Sequence, residues 1–424
     1  MRNIGNLTII ALVILNIVVW LVFAPVYDGD PNFLRKYAGE VIGSNNIVLM
    51  ACSLFLSTRP KWAEKYFGGL DKMYVTHRHT GTAALLLIFV HVLTVPITTT
   101  GWRLGNYLAV ISFAGIVSIV LITLAPRIPF LNRLTGSDYE DWKKLKRWIG
   151  IFFILGFFHS LTVDALDARI AITWTMIFFI IGTVSYLYTE VFGGIFKKFL
   201  PYNVEAVKHP NNSSTEVTLR ARKEPIKKQR AGQFLFVRFP NTKDLNESHP
   251  FTISSAPAED VLRLTIKASG NFTRDLFAKL KDGTDAVIEG PYGMFDYKTG
   301  GQKQIWLAGG IGLTPFLSFV RDMDGSLAHD VDLYYTVRHP EEALFVDEIK
   351  AVAERNPRLK PHIRYSATEG SLTIDYILNN AGGNIKDHHL YMCGPLPMIQ
   401  AFEKKFLELG LPPDQIHYEE FNFR

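Results

Sequence analysis

The strongest constraint on this chain is where its apolar residues fall. Residues 1–195 hold apolar runs at about 7–24, 41–57, 80–98, 106–124, 148–163 and 170–190, whereas 200–424 reads as an ordinary soluble α/β sequence. Runs of this kind point to helices that cross a bilayer, because hydrocarbon offers no water to backbone groups and a span needs about 20 apolar residues. The second and fifth runs are short for that length but are counted as spans with the rest. The first run, with Arg2 ahead of it, is expected to stay as an anchor rather than be cleaved as a signal peptide. No small-x-small site follows it, and five further spans do.

Loop charges orient the bundle. The loop after the second run carries Arg59, Lys61, Lys65 and Lys72, and the loop after the fourth carries Arg127, Arg133, Lys143, Lys144, Lys146 and Arg147. The remaining loops hold few cations (Arg35, Lys36, Arg103, Arg169) and several acids (Asp28, Asp30, Asp164, Asp167). Both termini and the soluble half are therefore expected on the cytoplasmic side. The net charge of +5 is small for 424 residues and forms no basic stripe with interleaved aromatics, so nucleic-acid binding has no support. Two cysteines, Cys52 and Cys393, cannot form a disulfide framework.

Three histidines stand out in the apolar half. His77 and His91 are fourteen residues apart, which at about 100° per residue brings them to within roughly 40° of one helix face, about 21 Å apart along it. Imidazoles so spaced suit a ladder of two haems better than a single metal site. For His77 alone, the competing reading is a polar side chain snorkelling at the membrane edge. His91 and His159 lie inside otherwise uncharged runs, where ionisable groups are functional candidates first. With the third and fifth helices both running outward, these two can face one another across a haem b as axial ligands near the outer surface. An inner haem on His77 needs a partner near Lys146, and no histidine is there.

From about Pro201 the pattern changes to short alternating segments, Glu216–Arg220, Gln233–Phe239 and Leu262–Lys267, which suggest a small antiparallel β-barrel. From Gln304 the order becomes strand, glycine-rich turn, helix and strand, the start of a parallel α/β domain, with the break near 297–303. Gly309, Gly310 and Gly312, followed by Thr314 and Pro315, leave backbone N–H groups bare at a helix start, a ready pyrophosphate site. Ser269-Gly270-Asn271-Phe272-Thr273 opens a second helix in the same way. Two phosphate cradles suggest two nucleotide cofactors.

At this point four ordered motifs carry a resemblance. His249-Pro250-Phe251-Thr252-Ile253-Ser254-Ser255 resembles the flavin motif of the ferredoxin–NADP reductase superfamily, in the version found in NADPH oxidases. Gly290-Pro291-Tyr292-Gly293, Gly309–Pro315 and Cys393-Gly394-Pro395 resemble its nicotinamide-side motifs. With the six histidine-bearing apolar runs, the whole chain resembles the bacterial NADPH oxidase and ferric reductase family.

The resemblance implies a membrane α-helical bundle of six transmembrane helices (residues 1–195), a cytoplasmic antiparallel β-barrel FAD domain (196–300) and an α/β NAD(P)H-binding domain (301–424), in the bacterial cell membrane. It places His249, Pro250, Phe251 and Thr252 at the FAD phosphates and flavin edge, and Gly270, Phe272 and Thr273 at the FAD pyrophosphate. Gly293 belongs to the nicotinamide side. Gly309, Gly310, Gly312, Thr314 and Pro315 then take the nicotinamide cofactor's pyrophosphate, with Cys393 and Gly394 beside the nicotinamide. Arg338 sits where a guanidinium would clamp a 2′-phosphate, favouring NADPH over NADH. Phe421 or Phe423 would stack on the flavin, with Thr252 and Cys393 flanking the hydride path. The implied reaction moves electrons from NADPH through FAD and haem to an external acceptor. That acceptor is oxygen, giving superoxide, or a ferric chelate, or a periplasmic redox protein.

The departure from the family pattern is Lys146. Three arrangements stay open there: lysine ligates iron as a neutral amine, an inner haem is held by His77 or His79 alone, or only the outer haem binds.

Overall fold

The structure is a computed structural model that describes residues 4–97, 101–124, 145–163, 166–193, 198–323, 328–382 and 384–419. Phe421 and Phe423 lie outside the described residues, as do Asp164, the loop cations Arg127, Arg133, Lys143 and Lys144, and the side chain of Lys146. The chain divides into two compact units, Met1–Phe196 and Lys197–Arg424.

The first unit is helical: α1 (Ile4–Val22), α2 (Phe33–Ser57), the single turn α3 (Glu64–Phe67), α4 (Leu70–Thr94), α5 (Leu104–Leu124), α6 (Ile149–Thr162) and α7 (Arg169–Tyr186). Four helices, α1, α2, α5 and α7, are long and apolar enough to cross a membrane. The other two fall short for different reasons. α4 has 25 residues, about 37 Å, but carries Asp71, Lys72 and Arg78 in its first turns. α6 has 14 residues, about 21 Å, against a hydrocarbon core of about 30 Å.

Two helices start well before their apolar runs. α2 begins at Phe33 because its early charges find partners. Lys36 pairs with Asp30 at 2.7 Å, Arg35 donates to the Thr94 and Val95 carbonyls at the end of α4, and Glu40 accepts from the Leu166 amide at 2.7 Å. α4 likewise begins at Leu70, so His77 and His91 share one helix.

The second unit holds two sheets. The first is antiparallel and six-stranded, in the order β4-β3-β6-β1-β2-β5. Its strands are β1 (Leu200–Asn211), β2 (Ser214–Ala221), β3 (Phe234–Arg238), β4 (His249–Thr252), β5 (Leu262–Lys267) and β6 (Asp285–Tyr292). Its two outer strands meet through the Ile253–Leu264 bridge, so the sheet curls back on itself around Val204, Val217, Leu235 and Ile288, all fully buried. Helix α8 (Asn271–Lys279) packs Leu276 into that core.

The second sheet is parallel and five-stranded, in the order β11-β10-β7-β8-β9. Its strands are β7 (Lys303–Gly309), β8 (Asp330–Val337), β9 (Leu359–Tyr365), β10 (His388–Cys393) and β11 (Ile416–Glu419). The crossover helices include α9 (Thr314–Asp322), α10 (Val346–Arg355), α11 (Ser366–Glu369), α12 (Ile374–Asn380) and α13 (Leu396–Glu408). β7 is first in sequence and central in space, with later strands added on both sides. The crevice between the carboxyl ends of β7 and β10 is therefore the topological switch point, where open α/β sheets bind ligands.

Candidate functional site

In the helical unit, neighbouring backbones aim the histidines. His91 Nδ1 lies 2.8 Å from the Gly39 carbonyl of α2, and His159 Nδ1 lies 2.9 Å from the Gly105 carbonyl of α5. A carbonyl oxygen only accepts, so each Nδ1 carries the proton and each Nε2 keeps its lone pair. This is the arrangement that fixes tautomer and ring orientation in a metal-ligating histidine. A Cβ on Gly43 would stand 3.2 Å from the His91 ring, so glycine there gives the imidazole its room.

The His91 and His159 ring centres are 6.3 Å apart, with the rings at 78° to one another. Two neighbouring imidazoles, each with its Nε2 lone pair left free, are a donor set that fits haem iron.

His77 is not part of that pair, but it too is held by α2. Its Nδ1 lies 2.9 Å from both the carbonyl oxygen and the hydroxyl of Ser53. Gly39 and Ser53 are fourteen residues apart on α2, as His77 and His91 are on α4. One antiparallel helix pair thus repeats the same histidine-to-carbonyl contact at two levels.

In the sheet unit the motifs form two cradles. At the first, β4 runs against the start of α8: His249 stacks on Phe272 with ring centres 3.9 Å apart, and Phe251 lies 6.2 Å from the same ring. Thr273 Oγ1 accepts from the Ser269 and Gly270 amides, both at 2.9 Å. Gly270 has no side chain to return the bond, so the N–H groups of the first turn of α8 lack an intrahelical acceptor and stay available to an anion. Pro250 pairs with Phe236 across the ladder. Thr252 is buried, and its Oγ1 has no hydrogen-bond partner among the described residues. A buried hydroxyl left in this way costs about 1–3 kcal/mol, which a bound ligand can recover. The cradle and the orphaned hydroxyl fit a flavin nucleotide.

The second cradle is the switch point itself. Gly310 adopts φ +55° with open space where a Cβ would be, as a turn that passes under a pyrophosphate requires. Gly312 is demanded by close approach, since a Cβ there would stand 2.3 Å from the Cys393 carbonyl oxygen. Thr314 and Pro315 open α9. Gly309 and Gly394 touch across the same gap, so the β7 and β10 loops meet as the sequence motifs anticipate. Arg338 follows β8 directly; its side chain is exposed and makes no ion pair among the described residues. Gly293 follows β6 at φ +102°, packed against the Phe234 ring.

Three features escaped the sequence reading. Glu419, 3% exposed, ends β11 in register with Cys393, and its only signal was a carboxylate in an otherwise strand-like tail. The Gly39 and Gly105 carbonyls are backbone groups, so no residue pattern announces them. Arg321, near the end of α9, bonds to Glu348 of α10, to Glu216 of the antiparallel sheet and to the Ser254 carbonyl.

The comparisons with known proteins agree with this geometry. Residues 201–296 match the model of an FAD-binding domain, and 306–404 match that of an oxidoreductase NAD-binding domain. The chain is 30% identical over 185 residues to the carnitine monooxygenase reductase subunit of Escherichia coli K12, covering 42% of this chain and 54% of that one. It is 25% identical over 214 residues to flavohemoprotein A of Dictyostelium discoideum, covering 47% and 54%. The chain thus spans about half the length of these curated relatives. Among solved structures, the flavohemoglobin of Malassezia yamatoensis with bound FAD and haem shares the fold at a TM-score of 0.51 and 16% identity, covering 92% of this chain and 98% of that one. The C-terminal unit therefore carries an FAD-binding domain and an oxidoreductase NAD-binding domain. The protein is an NAD(P)H-dependent flavin oxidoreductase.

Proposed function

We propose that this chain is a six-span transmembrane NADPH oxidase that passes electrons from cytoplasmic NADPH to an external acceptor, oxygen first, giving superoxide. The observation that carries the reading is the His91–His159 pair, with ring centres 6.3 Å apart and both Nδ1–H groups committed to backbone carbonyls. A structural core histidine needs its polar atoms satisfied; it does not need a second histidine ring beside it inside an apolar bundle. When bound, FAD converts a two-electron hydride donor into a source of single electrons, and haem iron relays them one at a time.

Each residue group has a defined task. Gly309, Gly310, Gly312 and Thr314 present backbone donors to the nicotinamide cofactor's pyrophosphate, with Pro315 fixing the helix start. Arg338 selects the 2′-phosphate of NADPH. Cys393 and Gly394 border the nicotinamide, with Gly293 on the same side. Gly270, Phe272 and Thr273 hold the FAD pyrophosphate, and His249, Pro250, Phe251 and Thr252 shape the flavin edge. Phe421 or Phe423, both outside the described residues, would be the aromatic that stacks on the flavin. His91 and His159 would hold the outer haem through Nε2, and that haem would supply single-electron transfer to the acceptor. The Ser53 contacts hold His77 against α2, which supports an inner haem whose ligation differs from two histidines.

The test is a pyridine haemochrome count on the purified full chain, followed by anaerobic mixing with NADPH. At least one haem b per polypeptide, reduced by NADPH, is expected. A protein with FAD and no reduced-haem band would be a membrane-tethered flavin reductase instead. Cytochrome c reduction that superoxide dismutase abolishes assigns oxygen as acceptor; dismutase-insensitive reduction of ferric citrate assigns a chelate.

A further inference from the structure

Arg321 makes more contacts than the architecture of one domain asks of it. Its side chain is 7% exposed and sits one turn beyond Ser318 on the same face of α9. Its guanidinium donates to both oxygens of Glu348 on α10, at 2.6 and 2.9 Å. It also donates to the Ser254 carbonyl at 2.9 Å and to Glu216 of β2 at 3.3 Å. Ser318 Oγ donates to the next carbonyl, that of Ser255, at 2.7 Å. Ser254 and Ser255 follow Thr252 of the flavin strand after one residue, Ile253, and α9 begins where the Gly309–Leu313 turn ends. One nine-residue helix therefore carries the nicotinamide-side cradle at its start and two struts to the flavin strand near its end.

Two further observations support a role beyond packing. Burial by itself would lower the Arg321 pKa, but the carboxylates of Glu348, Glu216 and Glu259 raise it overall, so the strut is a fixed cation. The guanidinium also lies 5.2 Å over the ring of Phe345, a bulky residue held at φ +53° immediately before α10. Left-handed backbone at such a residue persists only when its surroundings enforce it.

We propose that Arg321, with Ser318, is a positioning residue for hydride transfer, locking the nicotinamide-side helix to the flavin strand and so setting the gap between the two cofactors. NAD(P)H gives up a hydride and becomes NAD(P)⁺, while FAD takes it and becomes FADH⁻. Neither residue donates or accepts a proton. The inference rests on the assignment of the Gly309–Thr314 cradle to the nicotinamide cofactor. A misplacement of about 1 Å at a reacting centre costs on the order of 100-fold in rate.

The experiment is anaerobic stopped-flow reduction of bound FAD by NADPH in the full-length protein, at saturating donor, with FAD content measured in each variant. Arg321→Gln should lower the limiting rate about tenfold or more, with the NADPH dissociation constant within about threefold of the parent. Arg321→Lys keeps the charge without the planar fork and should stay slow. Ser318→Ala removes one strut without stranding a carboxylate, and should slow the step about threefold while retaining full FAD. Parental limiting rates in Ser318→Ala and Arg321→Lys would overturn the proposal, as would an Arg321→Gln loss that merely tracks lost FAD. Failure of NADPH to reduce the parental flavin would instead overturn the cradle assignment.

Discussion

The two units offer their binding atoms by opposite means. On the proposed reading, the helical unit would bind through side chains that the backbone orients: the Gly39, Ser53 and Gly105 carbonyls each lie against one histidine Nδ1. In the sheet unit the binding atoms are backbone N–H groups, exposed because side chains are missing, at Gly310 and Gly312 and at the Gly270 start of α8. The reason is the secondary structure each unit is built from. A helix closes its backbone on its own hydrogen bonds, so only side chains remain to reach a ligand. At the carboxyl edge of a parallel sheet the chain turns in water, and its amides are free to point at a phosphate. A ligating side chain is present or absent, whereas a backbone cradle can be distorted by degrees. Substitutions in the two units should therefore fail differently.

The largest effect is expected at His159. His159→Ala should abolish the outer haem's absorbance band and lower reduction of the external acceptor by more than about 100-fold. FAD reduction by NADPH, read with a soluble artificial acceptor, should stay at the parental rate because that chemistry lies in the other unit. Joint loss of both activities would mean that the bundle and the dehydrogenase do not fail separately. Gly312→Ala should produce the graded failure. Its Cβ meets a backbone oxygen at 2.3 Å, so the β7 and β10 loops must part. Overpacking of that kind costs about 1–3 kcal/mol, or roughly 5- to 150-fold in nicotinamide nucleotide affinity. FAD content and haem should be untouched. Titration of the bound flavin's absorbance with NADP⁺ checks it, and an unchanged dissociation constant would remove Gly312 from the cradle.

The same contrast decides what could be read from the sequence. Glycine motifs were legible because their order, strand then glycines then helix, carries the physical demand with it; β7, the turn and α9 stand where Ile305–Val320 placed them. β5 was legible to the residue, because alternation marks a strand with one face in the core. β1, β4 and β6 were not. β4 is four residues long and contains Pro250, and β6 ends in Gly290-Pro291, so neither presents an alternating run. Helix starts in the apolar half were read late for a related reason. Arg35, Lys36 and Glu40 interrupt the apolar pattern of α2, yet each is satisfied by a partner that only the fold supplies. Histidine spacing placed His77 and His91 on one face, but the carbonyls that aim them leave no trace in residue identity.

Arg338 tests whether a side chain can matter inside a site built from backbone. It stands beyond the end of β8, exposed, one strand over from the Gly309 turn. Because the guanidinium is solvated, its contact with a 2′-phosphate falls in the lower part of the range for charge-assisted bonds, about 1.5 kcal/mol. Arg338→Ser should therefore raise the KM for NADPH about tenfold and leave that for NADH where it is. Equal losses with both donors would make Arg338 a structural residue of the loop and leave the phosphate preference to another group.

Thr252 gives the smallest effect and the most discriminating sign. Its hydroxyl is buried at the end of β4 with no partner among the described residues, where Thr252 stands in register with Phe234 of β3. Thr252→Val keeps the branched shape and removes only the polar atom. If FAD supplies the missing partner, the ligand-free protein should become slightly more stable, because an unsatisfied buried group is gone. FAD should meanwhile bind about fivefold more weakly, equivalent to about 1 kcal/mol. Thermal melts of FAD-stripped protein and FAD titration by quenching of its fluorescence read the two effects separately. A loss of stability without loss of affinity would mean that the hydroxyl is held within the protein, and the flavin edge would then have to be built from His249 and Phe251 alone.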